Sequence, residues 1–543
     1  MAMSAPPPLF QAEAVFVVLF FLNLLQYLDR GIVPGASDEF AAFIEESTHT
    51  ESPSILIGLL QSSFIVGFAI ASVAFGHLIH FYSPFVLCTV GMTIWCAAAL
   101  SSGIAINCNS YTALVLARCL SGVGESSLAC SLPPWIEAQA KAGRKASWLG
   151  LYYSALPLGT AIGYVYSSLV SRKYGPQYAY YFEVILMVPF LIYLAGASRV
   201  YPDIATAHHQ QQRAESDDET DGSGKGRRPL LVIEPSPPTL LEELKIIFNS
   251  HIFVSLCLGY AAQTGALIGI STFGSPLLQG LGFYETESGA STALGCILGL
   301  AGVGGSLTGG FVLDARARGM QGVLAPNPTT QNLSDSKVDA SAPADDNHDV
   351  LKASVGLKQS TALVWFSSAM ASLCLWCSFI IYDKILFLLV VGIGCGLIFL
   401  TVPGINISIM HSVPPANKNF AIGVCNLMIH ALGDVPSPLI AGYLKDKFAP
   451  HCAGVDAATP ECRADNRGLR EAFLIVSSWL CFAIMFFGFA YLMAGVLLAN
   501  KARANELFED SRLYISVPTS LSEPLMPEVD AQDEGKDDGT YVL

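Results

Sequence analysis

The feature that most constrains this chain is a series of twelve apolar stretches, each long enough to cross a lipid bilayer. A spanning helix needs about 20 mostly apolar residues. Six stretches precede a polar break and six follow it, at 14–36, 55–80, 84–106, 111–137, 148–172, 179–199, 251–273, 288–313, 361–382, 386–411, 420–445 and 470–499. Only 13% of the residues are charged, against roughly 25% in a soluble domain. The sequence therefore predicts an all-α integral membrane protein with twelve transmembrane helices.

Polar segments divide the chain into five parts. We expect an N-terminal segment over 1–13, a six-helix bundle over 14–200, a linker over 201–250, a second bundle over 251–499 and an acidic tail over 500–543. The linker is polar and proline-rich and is too poor in apolar residues to fold alone, so we expect it to be disordered up to a short amphipathic helix over 240–248. We expect a second polar insert, over 314–360, inside the second bundle.

Basic residues indicate the orientation of the helices. Cytoplasmic loops of membrane proteins are enriched in Lys and Arg. The short loop 138–147 carries Lys141, Arg144 and Lys145, whereas the loop 37–54 carries five acidic residues and no basic one. We therefore expect both termini, the linker and the insert to be cytoplasmic. Six helices on either side of a long linker are typical of transporters with a binding site between two halves.

Cysteines and glycines give little sign of a cofactor. Most of the 14 Cys residues lie in apolar stretches, where Cys behaves as a small apolar residue. Cys452 and Cys462 share a loop on the side opposite the cytoplasm, and we expect either a disulfide or two free thiols there. No spacing is typical of a zinc site or a phosphate-binding loop. We expect no metal, no cofactor and no ATP-driven pumping.

Asp29 and Arg30 lie in the second half of the first predicted span. Ionisable residues inside a span are costly and usually functional. Adjacent helical residues point about 100° apart, so the two side chains cannot share a face. We expect Asp29 to face a cavity and Arg30 to bond a neighbouring helix. The alternative is that both lie among the lipid headgroups.

Arg118 and Glu125 share one face of the fourth predicted span, about 10 Å apart, which is too far for a direct contact. A buried carboxylate favours its neutral form, and a nearby Arg favours the charged form. Glu125 is therefore a candidate for binding and releasing a proton. A purely structural Glu–Arg bond between helices is an equally favoured interpretation.

His430 and Asp434 lie four residues apart in the eleventh predicted span and share a face, so they can form an ion pair or a hydrogen bond. Pro436 and Pro438 interrupt the backbone hydrogen bonds there and predict a discontinuous helix. We favour a hydrogen-bonded histidine over proton transfer. Glu183, in the sixth predicted span, is a further candidate without an evident partner, and the alternative is a place near the outer interface.

Four blocks resemble motifs of the Spinster branch of the major facilitator superfamily. Residues 23–30 are similar to its Asn-Leu-Leu-x-Tyr-x-Asp-Arg, 118–125 to its Arg-x-Leu-x-Gly-x-Gly-Glu, 153–164 to its Tyr-x-x-x-Pro-x-Gly-x-x-x-Gly-Tyr and 430–438 to its His-x-x-Gly-Asp-x-x-Ser-Pro. The resemblance implies the major facilitator fold, two pseudo-symmetric six-helix bundles that rock to alternate access. It also implies secondary transport, often proton-linked, rather than an enzymatic activity.

The resemblance assigns roles to individual residues. Asp29 and Glu125 become candidate proton-coupling acids, and Arg30 and Arg118 candidate charge partners or anion contacts. Further substrate or charge-partner candidates are Tyr27, Tyr153, His430, Asp434 and Glu183. Substrates of the family include lysophospholipids and sphingosine-1-phosphate.

Two departures from the family pattern concern gating and charge. After the second span, Gly76 of the superfamily's Gly-x-x-x-Asp-x-x-Gly-Arg loop remains, but His80 replaces the Asp. The copy in the second half keeps the candidate gating residues Gly310, Asp314 and Arg316, so we expect the first half to gate differently. Glu183 stands where relatives often carry Arg, which weakens the assignment of a lipid phosphate.

The expected function is secondary active transport of a lysophospholipid, a sphingolipid-like molecule or a related amphiphile, with protons as the candidate coupling ion. The alternatives are a carrier of a polar organic solute (a sugar, an amino acid or an organic anion) and a non-transporting membrane sensor. The net charge of −15 argues against nucleic acid as a partner. We expect a monomer in contact with membrane lipids, in a lysosomal, late endosomal or vacuolar membrane rather than the plasma membrane.

Overall fold

The computed structural model describes residues 10–49, 53–141, 143–200, 239–321, 344–452 and 460–515, and these residues form helices and their connections without a β-strand. The chain divides into a large unit, Met1–Leu498, and a small one, Ala499–Leu543. The described part of the small unit is helical through Ile515. All of the features below belong to the large unit.

The first half of the large unit consists of eight helices. They are α1 (Ala12–Arg30), α2 (Ile32–Gly35), α3 (Ser37–Thr48), α4 (Pro53–Leu78), α5 (Pro84–Asn107), α6 (Tyr111–Gln139), α7 (Lys145–Tyr174) and α8 (Pro176–Val200). Side-chain caps fix two of the tight connections. Ser83 accepts a hydrogen bond from the Val86 amide at the start of α5, and Ser110 accepts one from the Ala113 amide at the start of α6.

The second half contains ten α-helices, the last of which continues beyond Leu498. They are α9 (Leu240–Phe248), α10 (His251–Gly280), α11 (Glu287–Gln321), α12 (Ala344–Cys377), α13 (Lys384–His411), α14 (Lys418–Ile429), α15 (Pro436–Phe448), α16 (Pro460–Ala464), α17 (Asn466–Ser477) and α18 (Leu480–Ile515). The short helix α9 occupies the expected residues. It begins with a capping box in which Thr239 and Glu242 bond each other's backbone amides.

Eleven helical segments of the described residues are long and apolar enough to cross a membrane. The remaining predicted span is α7, which is 30 residues long but less apolar. It packs between α1 and α11, so much of its surface faces protein instead of lipid. Glycines permit these contacts, because a Cβ on Gly159 would lie 2.5 Å from the Leu24 carbonyl oxygen and a Cβ on Gly150 would lie 2.5 Å from that of Ser306.

Helix ends depart from the hydropathy pattern around the predicted insert 314–360. Helix α11 continues to Gln321 and α12 already begins at Ala344, so only 322–343 lie outside the described residues. Charged residues such as Asp314 and Arg318 end an apolar stretch without ending a helix, because hydropathy marks the edge of the bilayer and not of the helix. The other segments outside the described residues include 201–238 of the predicted linker and 516–543 of the tail.

The eleventh span is discontinuous, as the prolines predict. Helices α14 and α15 are joined by a π-helical turn, His430–Asp434, in which the Val435 amide donates to the His430 carbonyl at 3.0 Å. Pro436 and Pro438 supply no amide hydrogen, so the preceding carbonyls lack their usual helical donors and the backbone accommodates a wider turn. Such turns occur frequently at functional sites.

Cys452 and Cys462 form a disulfide, and both residues are buried. The bond ties the end of α15 to α16 in the loop that the charge pattern assigns to the side opposite the cytoplasm. The sequence left a disulfide and two free thiols open, and the structure contains the disulfide.

Replacing both cysteines by serine is expected to lower the free energy of unfolding by about 2–3 kcal/mol, because the short cross-linked loop gains entropy in the unfolded chain. Thermal unfolding of detergent-solubilised protein measures the effect, and a reductant should reproduce it in the wild type. Cys108→Ser, at an exposed free thiol, is the control and should leave the unfolding temperature unchanged. An unfolding temperature insensitive to reductant would contradict the prediction.

Candidate functional site

Two ion pairs connect α1 with α6 in the middle of the first half. The Arg118 guanidinium donates through Nη1 to both carboxylate oxygens of Asp29, at 2.6 and 2.7 Å. About two turns further along α6, Glu125 Oε1 accepts from Arg30 Nε at 2.9 Å and from Arg30 Nη2 at 2.5 Å. Adjacent residues of α1 thus bind two separate residues of α6, as their 100° separation allows.

The two pairs differ in their exposure. Asp29 and Glu125 are fully buried and Arg118 is nearly so, but the Arg30 side chain keeps 25% of its surface exposed. The expectation that Asp29 faces the cavity is therefore wrong, because Arg118 covers it and Arg30 is the accessible member. The pairing satisfies charges that would otherwise be very costly to bury.

Aromatic side chains surround the accessible guanidinium of Arg30. Its carbon lies 4.9 Å from the ring centre of Tyr27, 5.2 Å from that of Phe64 and 5.4 Å from that of Phe68. Cation–π attraction holds the group in place while leaving donors available. Neither phenylalanine carries a charge that would mark it in the sequence, although their spacing of four residues places them on one face of α4.

The π-helical turn of the second half borders this aromatic cluster. The His430 ring packs edge-on against Phe68, with ring centres 5.0 Å apart. His430 Nδ1 and Asp434 Oδ2 are 2.5 Å apart, so these residues form the expected intrahelical contact. The charge of Asp434 also acts on Arg30, which brings charged groups of both halves together.

Tyrosines line the same region. Tyr153 of α7 packs against Tyr152, and the two ring centres are 5.3 Å apart. It lies near Tyr27 and near Tyr260 of α10. Tyr260 lies outside the four motif blocks of the sequence and is a polar contribution of the second half. The central region therefore combines one accessible cation with tyrosine hydroxyls and apolar ring surface.

Glu183 lies away from this accessible region. Its side chain is only 1% exposed, and within the described residues neither carboxylate oxygen has a hydrogen-bond partner. The Asp29–Arg118 pair is near enough for its charges to act on Glu183.

A second group of contacts joins the two halves at the end assigned to the cytoplasm. The Asp314 carboxylate accepts from the Ala146 amide at 2.9 Å and the Ser147 amide at 2.7 Å, at the start of α7. A carboxylate is favoured there because the first amides of a helix are free and carry partial positive charge. A Cβ on Gly310 would lie 2.5 Å from the Ala146 carbonyl oxygen, so this crossing requires glycine.

The remaining gating candidate, Arg316, is exposed. The arginine that contacts the first half is instead Arg318, which donates to the Gly143 carbonyl at 3.3 Å. Arg316 and Arg318 are two positions apart, so they face different sides of α11. Glu137 at the end of α6 adds an ionic contact between the halves. Its carboxylate lies 3.0 Å from His411 Nε2 and 2.8 Å from Lys418 Nζ.

The altered loop after α4 forms its own contact, which we call the histidine latch. His77 and His80 each contact one carboxylate oxygen of Glu243 on α9, and the Asn417 amide donates to the same carboxylate at 3.2 Å. Burial raises the pKa of Glu243, but hydrogen bonds from His80 and His77 outweigh it and hold the pKa below its ordinary value of 4.5. His80, which stands where the family motif has an aspartate, thus contacts an acid on α9, Glu243.

Glu243→Gln is expected to release α9, because hydrogen bonds to a charged group are worth about 1.5–3 kcal/mol each. A lowered pKa means that the carboxylate stabilises the latch at pH values above 4.5 and that this stabilisation is lost as the pH falls through the lowered value. Hydrogen exchange at 240–248, corrected for intrinsic rates, should show protection in the wild type from pH 7 to about pH 5. The variant should exchange fast throughout this range.

The matched control for the latch is Glu13→Gln, which breaks an exposed ion pair with Lys141. Exposed pairs contribute little, so exchange at 240–248 should stay at the wild-type rate. Equal protection of α9 in the wild type and in Glu243→Gln would show that the latch does not hold this helix.

The sequence is similar to those of known membrane transporters. The model of the Major Facilitator Superfamily matches residues 19–438. The probable sphingolipid transporter spinster homolog 1 of Arabidopsis thaliana is 24% identical over 527 residues, which cover 91% of each chain. The sphingosine-1-phosphate transporter SPNS2 of Danio rerio is 32% identical over 161 residues, 30% of this chain and 31% of that protein.

Solved structures show the same fold. A bacterial homolog of the human lysosomal transporter Spinster, in an inward-facing and unoccupied conformation, is similar with a TM-score of 0.55 and 15% identity, over 90% of this chain and 98% of that one. The transporter FucP in its outward conformation is similar with a TM-score of 0.55 and 13% identity, over 88% and 98% of the two chains.

Proposed function

This chain belongs to the Major Facilitator Superfamily and is a multi-pass membrane transporter, and from this premise we propose that it carries a lysophospholipid, a sphingolipid-like molecule or a related amphiphile. The observation that carries the proposal is the accessible Arg30 guanidinium among Tyr27, Phe64 and Phe68. A charged headgroup would bind the guanidinium, and an apolar tail would pack against the rings. The names of the spinster relatives, which include sphingolipid and sphingosine-1-phosphate transporters, support the same substrate class.

We further propose that Glu125 couples transport to protons. In the structure Arg30 neutralises Glu125, whose second oxygen is buried and has no partner within the described residues. An anionic headgroup that binds Arg30 competes with Glu125 for it. A buried carboxylate that loses its cation favours the neutral form, so substrate binding and proton binding would occur together. Asp29 would remain paired with Arg118 during this step.

Flux of a fluorescent lysophospholipid into proteoliposomes tests the substrate class. The wild type should transport it, and Arg30→Ala should reduce the rate by at least about tenfold, the effect of losing one charge-assisted contact. Sugars, amino acids and organic anions in excess should not compete. Competition by a polar solute, with no lipid flux, would favour the polar-solute carrier, and no flux of either class would favour a sensor.

Proton coupling needs its own measurement in the same vesicles. A pH gradient should accelerate wild-type flux, and Glu125→Gln combined with Asp29→Asn should remove this dependence. Wild-type flux that is equal with and without a gradient would contradict the coupling step and leave the substrate assignment standing. Lysosomal, late endosomal or vacuolar location and the monomeric state remain predictions, which organelle fractionation and mass measurement in detergent would test.

A further inference from the structure

Glu183 is a buried acid that the proposed transport step does not use. It lies on α8, its side chain is 1% exposed, and neither carboxylate oxygen has a hydrogen-bond partner within the described part of the chain. An ionised carboxylate in such surroundings is very costly, whereas a protonated one is far less so. A structural role would leave it bonded, as Glu137 is.

The neighbouring Arg118 has an unused hydrogen-bond donor. Its Nη1 donates to Asp29, whereas its Nε is buried without a partner among the described residues. The charges of Arg118 and Glu183 act on each other. Titratable groups that face Glu183 come from each of the neighbouring helices: Asp29 of α1, Cys96 of α5, Arg118 and Glu125 of α6, Tyr166 of α7 and Tyr180 of α8.

Glu125 is paired with Arg30, so Asp29 and Glu183 are the two carboxyl groups left to Arg118, which pairs with only one of them. Tyr180 lies one helical turn before Glu183, and its hydroxyl is also buried without a partner in the described residues. The Arg118 carbon lies 5.9 Å from the centre of the Tyr180 ring, so the guanidinium already contacts the helix that carries Glu183. To change its partner, the guanidinium has to leave Asp29 and turn toward this helix.

We propose that Glu183 is a second proton-binding site and the alternative partner of Arg118. In the arrangement seen here, Arg118 pairs with the Asp29 carboxylate and Glu183 carries the proton. In the exchanged arrangement, Glu183 releases its proton and pairs with Arg118, while Asp29 takes up a proton. One proton and one ion pair are present on each side of the exchange, so charge balances. The proposal deepens the proton coupling proposed above and rests on it for its role in transport.

Infrared spectroscopy of the purified protein at neutral pH tests the site without transport. The wild type should show the carbonyl stretch of a protonated carboxyl group, and Glu183→Gln should lose it while keeping its unfolding temperature. Asp29→Asn should lose the same band, because Arg118 released from Asp29 ionises Glu183. The control Glu13→Gln should keep the band.

The outcomes separate this inference from the proposed function. A band that survives in Glu183→Gln, or no band in the wild type, would overturn the proton site. A band that is lost in Glu183→Gln but persists in Asp29→Asn would overturn the exchange of partners. Lipid flux that ignores a pH gradient would instead contradict the coupling of Glu125, and the infrared result would stand independently of it.

Discussion

Arg118→Ala is expected to abolish transport and to lower the free energy of unfolding by about 3–5 kcal/mol, the usual cost of leaving one partner of a buried ion pair alone. Among the residues that the structure describes, the variant leaves the fully buried Asp29 carboxylate with a single hydrogen-bond contact, from the Ser121 hydroxyl at 3.4 Å. Asp29 then either remains charged at high cost or binds a proton, and in both cases the guanidinium that would pair alternately with Asp29 and Glu183 is absent. Thermal unfolding in detergent and lipid flux measure the two effects.

A double variant separates stability from mechanism. Asp29→Ala combined with Arg118→Ala removes both charges, so much of the lost stability should return, because the penalty of an unpaired charge disappears. Transport should remain absent. The control is Arg467→Ala, at a highly exposed pair with Glu471, which should change neither quantity measurably. An unfolding temperature of Arg118→Ala equal to that of the wild type would contradict a buried ionic pair.

The sequence predicts the membrane fold because length and hydropathy decide it. Twelve apolar stretches, the short helix α9 and the break beside Pro436 are all visible in local patterns. Hydropathy does not indicate where a helix ends outside the lipid. The predicted insert is therefore longer than the segment between the observed helices α11 and α12. It also understates α7, whose polar and glycine positions face other helices.

Individual site residues were predictable because charge is rare inside an apolar span. This basis is sufficient to recognise Asp29, Arg30, Arg118 and Glu125, but it does not predict how they pair. Which residue faces the cavity depends on the rotation of α1 against α6, a property of packing between distant segments that no local pattern encodes. The interpretation that Asp29 faces the cavity failed for this reason, and the accessible residue is its neighbour Arg30.

The contacts between the two halves join distant segments, and local sequence patterns do not predict them. Glu137 and Glu243 lie at or near the ends of helices, where charged residues are common and carry no special signal. Only the altered loop residue His80 indicated an unusual gate, and nothing in the sequence connects it to an acid 163 residues away. Asp314 differs, because its loop resembles a family motif.

Asp314→Ala is expected to open the end of the bundle assigned to the cytoplasm. It removes two hydrogen bonds from the start of α7 to a carboxylate, worth about 1.5–3 kcal/mol each, and every 1.4 kcal/mol changes a population ratio about tenfold. The open population should therefore rise by at least about a hundredfold. Cys130 reports on this, because it is buried in α6 beside the seam between α4 and α14, and its thiol donates to the Ser72 carbonyl.

Labelling with a membrane-permeant maleimide, followed residue by residue with mass spectrometry, should show Cys130 reacting much faster in Asp314→Ala than in the wild type. The matched control is Asp383→Ala, which removes an aspartate that accepts from the Leu386 amide at the start of α13, within one half and at the opposite end. That variant loses a comparable helix cap without touching the contact between halves, so Cys130 should keep its wild-type rate. Equal labelling in all three proteins would mean that Asp314 caps α7 without holding the halves together, and that Glu137 and the histidine latch suffice to keep this end closed.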